Sequence, residues 1–178
     1  MVRGMTAQLL TDQTVTLRPW REDDAEAIVE CIDGDPEISQ WLDQVPQPYT
    51  RADAQAFIAG LGEQAFAVTE ASSGRVLGSI GLRVDDDRVG EIGYWIRADA
   101  RGHGVALRAL VLLSRMALAR EDVERVQLRA DVDNVPSRRV AEKAGFRLDG
   151  VLRSAHWNAR LGRRQDWALY SLLPGDLA

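Results

Sequence analysis

The stretch from residue 64 to residue 132 constrains the fold more than any other part of the chain. Three apolar runs of strand length, QAFAVTEA (64–71), RVLGSIGLRV (75–84) and RVGEIGYWIR (88–97), are separated only by Ser72-Ser73-Gly74 and Asp85-Asp86-Asp87. Gaps so short, built of turn-forming residues, join strands as hairpins, so the three runs read as an antiparallel meander. The period then changes: a Gly-His-Gly turn opens a long helix over about 103–120, and RVQLRADV (125–132) is again a strand. A helical crossover returns the chain in the same direction, which makes strands 88–97 and 125–132 parallel neighbours. The class expected is mixed α/β, with a mostly antiparallel sheet flanked by helices.

The remaining segments agree with that class. TVTLRPW (14–20) alternates as a first strand, and EDDAEAIVECI places Ala25, Ile28, Val29 and Ile32 at helical spacing before an Asp33-Gly34 stop. Residues 34–50, with Pro36, Pro46 and Pro48 around ISQWL, read as a loop with one short helical turn, and 51–61 as a second helix. A helix over about 135–144 ends at Gly145, Phe146 follows as a core aromatic, and strands 146–156 and 164–173 complete the order β-α-α-β-β-β-α-β-α-β-β. The 178 residues suit one domain with a full core, residues 1–12 forming a frayed start. With no membrane-length apolar run, no signal-peptide pattern and a single cysteine, Cys31, a cytoplasmic, reducing setting is expected and no internal disulfide can form. The net charge of −5 argues against nucleic acid as a partner. Acids crowd residues 22–53, while arginines crowd 97–108 and 138–164, as suits a localised anion site on an acidic body.

The turn before the long helix is where that anion site is expected. The first N–H groups of a helix lack intrahelical partners and lie at the positive end of its dipole, and glycines there let an oxyanion approach. Arg101, Gly102, His103, Gly104, Val105 and Ala106 form this entry. It is not a Walker loop, because Val105-Ala106 stand where Lys-Ser/Thr is required. Nor is it a dinucleotide fingerprint, because Leu107 occupies the place of the third small residue and an antiparallel meander precedes it.

Arg101, Gly104 and Ala106 satisfy the pattern Arg/Gln-x-x-Gly-x-Gly/Ala on a meander-turn-helix, which resembles the acyl-CoA loop of the GNAT superfamily of N-acetyltransferases. NVPSRRVAEKAGF (134–146) resembles the second signature of that superfamily. With GEIGYWI before the loop and WALYSLL near the end, the resemblance covers nearly the whole chain and points to the RimJ/RimL-type branch, which acetylates ribosomal-protein N-termini. It implies a sheet splayed between strands 88–97 and 125–132, with acetyl-CoA in the gap. The pantetheine arm is then expected on the backbone of Tyr94, Trp95, Ile96 and Arg97, and the pyrophosphate on the N–H groups of His103 to Ala106 beside Arg101. Arg97 and Arg108 read equally as a solvated face, and Asn134 either caps its helix or touches the coenzyme arm. The resemblance further implies an acyl-CoA donor and an amine acceptor, leaves a homodimer open, and calls for no metal, nucleic acid or membrane.

Acetyl transfer to an amine needs a neutral amine, a proton acceptor and a group to receive the departing thiolate. An α-amine of pKa about 7.7–8.0 is roughly 10–20% neutral at pH 7, so it needs only a weak base, unlike a lysine. Many superfamily members place an acidic tyrosine seven residues after the motif asparagine; here that position is Ala141. Ser137, one turn earlier, matches a serine to which the RimL-type branch assigns a role at the thiolate, though it equally caps or packs. The branch has a carboxylate nineteen residues further on, where this chain has His156, a base near neutral pH or a pocket wall. Glu91, on the strand before Tyr94, is the other candidate base, against a plain solvent-facing acid. For the acceptor, Trp20, Trp41, Tyr49, Trp157 and Trp167 are candidate pocket aromatics, and the acids from Glu22 to Asp53 could receive a cationic amine. The acceptors expected are a ribosomal-protein or peptide α-amine first, then an antibiotic or polyamine. A longer donor such as succinyl-CoA, and a non-catalytic acyl-CoA sensor, stay open beside them.

Overall fold

The computed structural model describes residues 9–62 and 64–177. Its strands are β1 (Leu10–Thr11), β2 (Val15–Pro19), β3 (Ala65–Glu70), β4 (Val76–Val84), β5 (Val89–Ile96), β6 (Arg125–Asp131), β7 (Arg147–Asn158) and β8 (Arg163–Leu172). The α-helices are α1 (Ala25–Ile32), α2 (Pro36–Trp41), α3 (Arg51–Gly60), α4 (Val105–Leu118) and α5 (Val135–Lys143). The strands form one sheet in the order β1-β2-β3-β4-β5-β6-β8-β7. The β3–β4–β5 meander is antiparallel and β5 pairs with β6 in parallel, as the turn chemistry and the helical crossover require.

Three local features depart from the sequence reading. Residues 10 and 11 pair with β2, so the start of the chain is not frayed there; residues 1–8 lie outside the described residues. Helix α4 begins at Val105, two residues later than expected, because Gly104 sits at φ +78°, a left-handed conformation that cannot continue a right-handed helix. The short turn after Asp33-Gly34 is a formed helix, α2: the Asp35 carboxylate accepts the N–H groups of Glu37 (2.9 Å) and Ile38 (3.3 Å), and Pro36 is pre-set for the first turn. Strand order adds a fourth point. The last strand, β8, lies inside β7, and its buried Ala168, Tyr170 and Leu172 explain why: β7 is exposed along most of its length and takes the edge.

Successive residues of β5 point to opposite faces, and two cores result. On one face Ile92 and Ile96 pack with Ala109, Leu110, Leu113 and Ala117 of α4, all four helix residues fully buried, and with Val15 and Leu17. On the other, Trp95 packs beneath Ala25, Ile28 and Ile32 of α1 and Ala54 of α3. Gly145 at φ +90° stops α5, and Phe146 enters the first core.

Helix α1 is tied to β2 by a buried ion pair. Arg18 Nη1 and Nη2 each donate to an Asp24 carboxylate oxygen at 2.7 Å, and the Arg21 N–H donates to the same carboxylate at 2.8 Å. Burial by itself raises the Asp24 carboxyl; Arg18 and the Arg21 N–H outweigh burial and hold it below the ordinary aspartate value. A depressed carboxyl contributes stability that is present above its unfolded pKa, about 3.9, and is lost as the pH falls through the folded value. Asp24→Asn, which strands a buried guanidinium, is expected to lower unfolding stability by about 3 kcal/mol at pH 7. Its deficit relative to wild type should shrink below about pH 4, as urea unfolding at both pH values will read.

Candidate active site

Strands β5 and β6 are bridged only at Val89–Arg125, Gly90–Val126 and Glu91–Gln127, although β5 continues to Ile96 and β6 to Asp131. Beyond Glu91 they part, and the gap is continuous with a cleft of about 610 Å³ lined by β5, the turn before α4, α5, the segment after α2, and β8. The Arg97 N–H donates to Leu77 O of β4 at 2.9 Å. Strand alternation therefore turns the main-chain groups of Trp95 as well toward β4, and those of Tyr94 and Ile96 toward the gap. This corrects the expected backbone rail from four residues to two. Trp95 also lines the cleft, while packing against the second core. Arg97 does not reach it: its Nε donates to Asp99 (2.6 Å) and its Nη1 to Val76 O (3.2 Å).

At the entry to α4, Gly102 (φ +79°) and Gly104 (φ +78°) both hold left-handed conformations, and a Cβ at either would meet nothing within 4 Å. The glycines are required by the backbone and leave open space in front of it. Among the described residues no acceptor takes the N–H groups of Gly102 to Leu107; the ladder begins with Arg108 N–H to Gly104 O at 3.0 Å. Gly102, Gly104, Val105 and Ala106 line the cleft, while His103 is exposed outside it. Arg101 borders the cleft, but its guanidinium is turned away from the turn. Its Nε donates to Ile96 O (2.9 Å), Nη1 to Glu37 (3.0 Å), and Nη2 is paired with Asp35. The arginine expected at an anion thus clamps α2 instead. Arg139 and Lys143, one turn apart on α5, line the cleft and form no ion pair among the described residues. Their i, i+4 spacing, which puts two cations on one face of the helix, is the sequence signal that would have found them.

Asn134 caps α5, its Oδ1 accepting the Ser137 N–H at 3.1 Å, so that oxygen is committed to the cap. Ser137 Oγ lies 2.9 Å from the Tyr94 hydroxyl, and both side chains line the cleft. Burial pushes the Tyr94 phenol above its ordinary value, offset only in part by the hydrogen bond with Ser137, so it is protonated at neutral pH. Ala141, by contrast, is fully buried in the core.

His156 also lines the cleft. Its ring stacks on Trp167 (centroids 5.0 Å apart, planes at 19°) and its Nε2 lies 3.2 Å from Asp43 Oδ1. Burial raises the Asp43 carboxyl, but the Ala159 N–H and His156 outweigh it and hold it below the ordinary value. An ionised Asp43 fixes the tautomer with hydrogen on Nε2 and leaves Nδ1 as the proton-accepting atom. Glu91 is not brought to this group. Its oxygens are taken by Arg129 (2.5 Å), Arg83 (3.2 Å) and Gln127 (3.1 Å), and it lies outside the cleft lining. Its expected role as a base has no geometric support.

Of the five candidate aromatics, Trp41 and Trp167 line the cleft, Trp20 and Tyr49 pack in the second core, and Trp157 is exposed at the surface. Four of the acids between Glu22 and Asp53 are committed internally: Asp24 to Arg18, Asp35 to Arg101, Asp43 to His156 and Asp53 to Thr50. Of the acids in this span only Glu37 and Asp43 line the cleft, and both are already paired. Arg129, which stacks 4.7 Å from the Trp167 ring centroid, and Asp131 and Gln165 also line the cleft; nothing in their local sequence marks them.

The sequence model of the family described as "Acetyltransferase (GNAT) domain" matches residues 14–147. A Bacillus subtilis protein named "Putative ribosomal N-acetyltransferase YdaF" is 28% identical over 171 residues, covering 91% of this chain and 92% of the relative. The crystal structure of a GNAT-family acetyltransferase from Bacillus anthracis superposes with a TM-score of 0.83 at 20% identity, covering 93% of this chain and 98% of that one. The structure of RimL, a ribosomal L7/L12 α-N-protein acetyltransferase in complex with coenzyme A, gives a TM-score of 0.78 at 19% identity, with 93% and 98% covered. These likenesses at low identity show a shared fold.

Gly104→Val is the test of the turn. It forces a β-branched residue to a positive φ, at a cost of about 1–2 kcal/mol, and fills the space before the unpaired N–H groups. Calorimetric titration with coenzyme A is expected to show at least about a tenfold loss of affinity, since several charge-assisted bonds worth roughly 1.5–3 kcal/mol each depend on that approach. Unchanged affinity would remove the turn from the binding site.

Proposed function

The chain belongs to the GNAT acetyltransferase family, and we propose that it moves the acetyl group of acetyl-CoA to the N-terminal α-amine of a peptide or ribosomal protein, by direct attack in a ternary complex. The observation that carries this reading is a single cleft joining the unpaired N–H turn at α4, the Tyr94–Ser137 hydroxyl pair and the His156–Trp167 wall.

The residues present suit the donor. The open glycine turn and the unpaired N–H groups that follow it fit a pyrophosphate, with Arg139 and Lys143 of the same cleft as cations in place of Arg101. The gap-facing main-chain groups of Tyr94 and the Ile96 N–H would pair with amides of an extended arm, as an added strand does, the Ile96 carbonyl being taken by Arg101. Acetyl-CoA supplies the activated thioester and the thiolate leaving group. Ser137 Oγ is read as the donor toward that thiolate. Tyr94, protonated, shares a 2.9 Å hydrogen bond with Ser137 Oγ in which either hydroxyl can donate; with Tyr94 as the donor, the serine proton is free for the thiolate. His156, held by Asp43, is read as the base or water-orienting group for the incoming amine. An α-amine, about 10–20% neutral at pH 7, asks little of such a base. Glu91 has no part in the scheme.

The cytoplasm is the setting we assign. No helix among the described residues is long and apolar enough to cross a membrane, and Cys31 is buried, its thiol pushed up by that burial to about 11 and so unreactive.

Free thiol followed in mixtures of protein, acetyl-CoA and a panel of peptides, polyamines and aminoglycosides tests the acceptor class, with succinyl-CoA as a competing donor. Release is expected to be fastest with peptides that carry a free N-terminus and to vanish when that terminus is blocked. Preference for a polyamine or an aminoglycoside would transfer the assignment to a small-molecule amine. Ser137→Ala is expected to lower kcat by about 10²-fold with little change in KM for acetyl-CoA, as a group acting at the leaving thiolate should. An unchanged kcat would place Ser137 outside the chemistry.

A further inference from the structure

Two buried side chains in the cleft lack partners of opposite kinds. Asp131 is 8% exposed; its Oδ1 accepts the Asp133 N–H at 2.8 Å, but its Oδ2 has no partner among the described residues. Gln165 is 4% exposed, and its Nε2 has none. Folded proteins rarely leave buried polar atoms unpaired unless something else pairs them. The strand register puts these two together. Asp131 lies opposite Trp167 on neighbouring strands, His156 lies opposite Gln165, and Gln165 and Trp167 are two apart on β8. Paired residues share a face, so Asp131, Gln165 and the stacked His156–Trp167 wall all lie on one side of the sheet, and all four residues line one cleft.

We infer that Asp131 Oδ2 and Gln165 Nε2 are the docking pair for the acceptor, the carboxylate receiving the N–H groups of its amine and the amide donating to a carbonyl oxygen close by. An amine separated by a single carbon from a carbonyl is the N-terminal end of a peptide. A polyamine brings the ammonium without the carbonyl and leaves Gln165 unpaired; an aminoglycoside brings hydroxyls. The pair therefore selects an α-aminoacyl terminus over other amines by the penalty of an unpaired buried group. Both residues act on where the acceptor sits, while bond making stays with the groups around Ser137. This inference rests on the peptide-acetylating reading above and supplies residues for it.

The test uses Gln165→Leu and Asp131→Asn, a hexapeptide beginning with serine, and ethanolamine, which keeps that residue's amine and hydroxyl but has no carbonyl. Binding of the hexapeptide to the enzyme saturated with coenzyme A is measured by calorimetry, and turnover with acetyl-CoA is measured separately. Q165L is expected to weaken hexapeptide binding and raise its KM at least about tenfold. It should leave kcat/KM for ethanolamine and the affinity for coenzyme A unchanged. D131N should weaken both amines at least about tenfold, since both use the amine contact. Because the Gln165 donor is unpaired in the free protein, Q165L should hold or raise the Tm, which a purely structural glutamine would not do. Equal losses for the hexapeptide and ethanolamine with Q165L, or no loss with either variant, overturn the docking pair. Wild-type binding that shows the expected losses without any acetyl transfer leaves the docking pair standing and sinks the proposed activity. Transfer to the hexapeptide with both variants unimpaired does the reverse, and a wild type that neither binds nor acetylates it sinks both.

Discussion

Strands β5 and β6 are hydrogen-bonded neighbours over three residue pairs and then diverge, so β5 runs on with main-chain groups facing a gap. A sheet interior normally satisfies such groups from both sides, and leaving them open costs free energy unless water or a ligand takes them. The divergence holds because each strand is secured elsewhere: β5 by its full antiparallel ladder with β4, and β6 by six bridges with β8. Helix α4 packs on the core face through Ala109, Leu110, Leu113 and Ala117, and its N-terminus is thereby held at one end of the gap. The open N–H turn, the Tyr94–Ser137 hydroxyl pair and the His156–Trp167 wall all border that one interrupted pairing.

The second organising element is the tether across the cleft. Arg101 binds Asp35 and Glu37 at the start of α2, and the segment beyond α2 is caught again from β7 and its turn. His156 and the Ala159 N–H hold the Asp43 carboxylate, Asn158 donates to Gln40 O, and Arg160 donates to Val45 O. This doubly fastened segment brings Trp41 and Asp43 to the cleft. Three of the acids that looked like a receptor for a cationic substrate, Asp35, Glu37 and Asp43, are therefore fasteners.

Charge at the donor end shows the same redistribution. With Arg101 drawn to α2, Arg139 and Lys143 line the cleft that the glycine turn also borders, carried by a helix whose own start is fixed by the Asn134 cap. Tyr94 supplies from β5 a hydroxyl that the second signature lacks at Ala141, and it meets Ser137 from the other wall of the gap. The hydroxyl pair is thus shared between two elements, β5 and α5.

What the sequence determined by itself is local. Alternation and turn residues specified the meander, the helical crossover specified the parallel pair, and the glycines before Val105 specified a helix start with open N–H groups, because each depends on residues a few positions apart. The tertiary structure decided the partners. Arg101 chooses Asp35, 66 residues away; Tyr94 meets Ser137 across 43 residues; and His156 meets Asp43 across 113. Glu91 looked available as a base on its strand and is consumed by Arg129 and Arg83. Asp131 and Gln165 look like ordinary strand residues until the β6–β8 and β7–β8 registers put them on one face. The reason is physical: propensity and periodicity act between chain neighbours. Hydrogen bonds and ion pairs are made with whichever group the packing brings within about 3 Å, and no pattern along the chain encodes that choice.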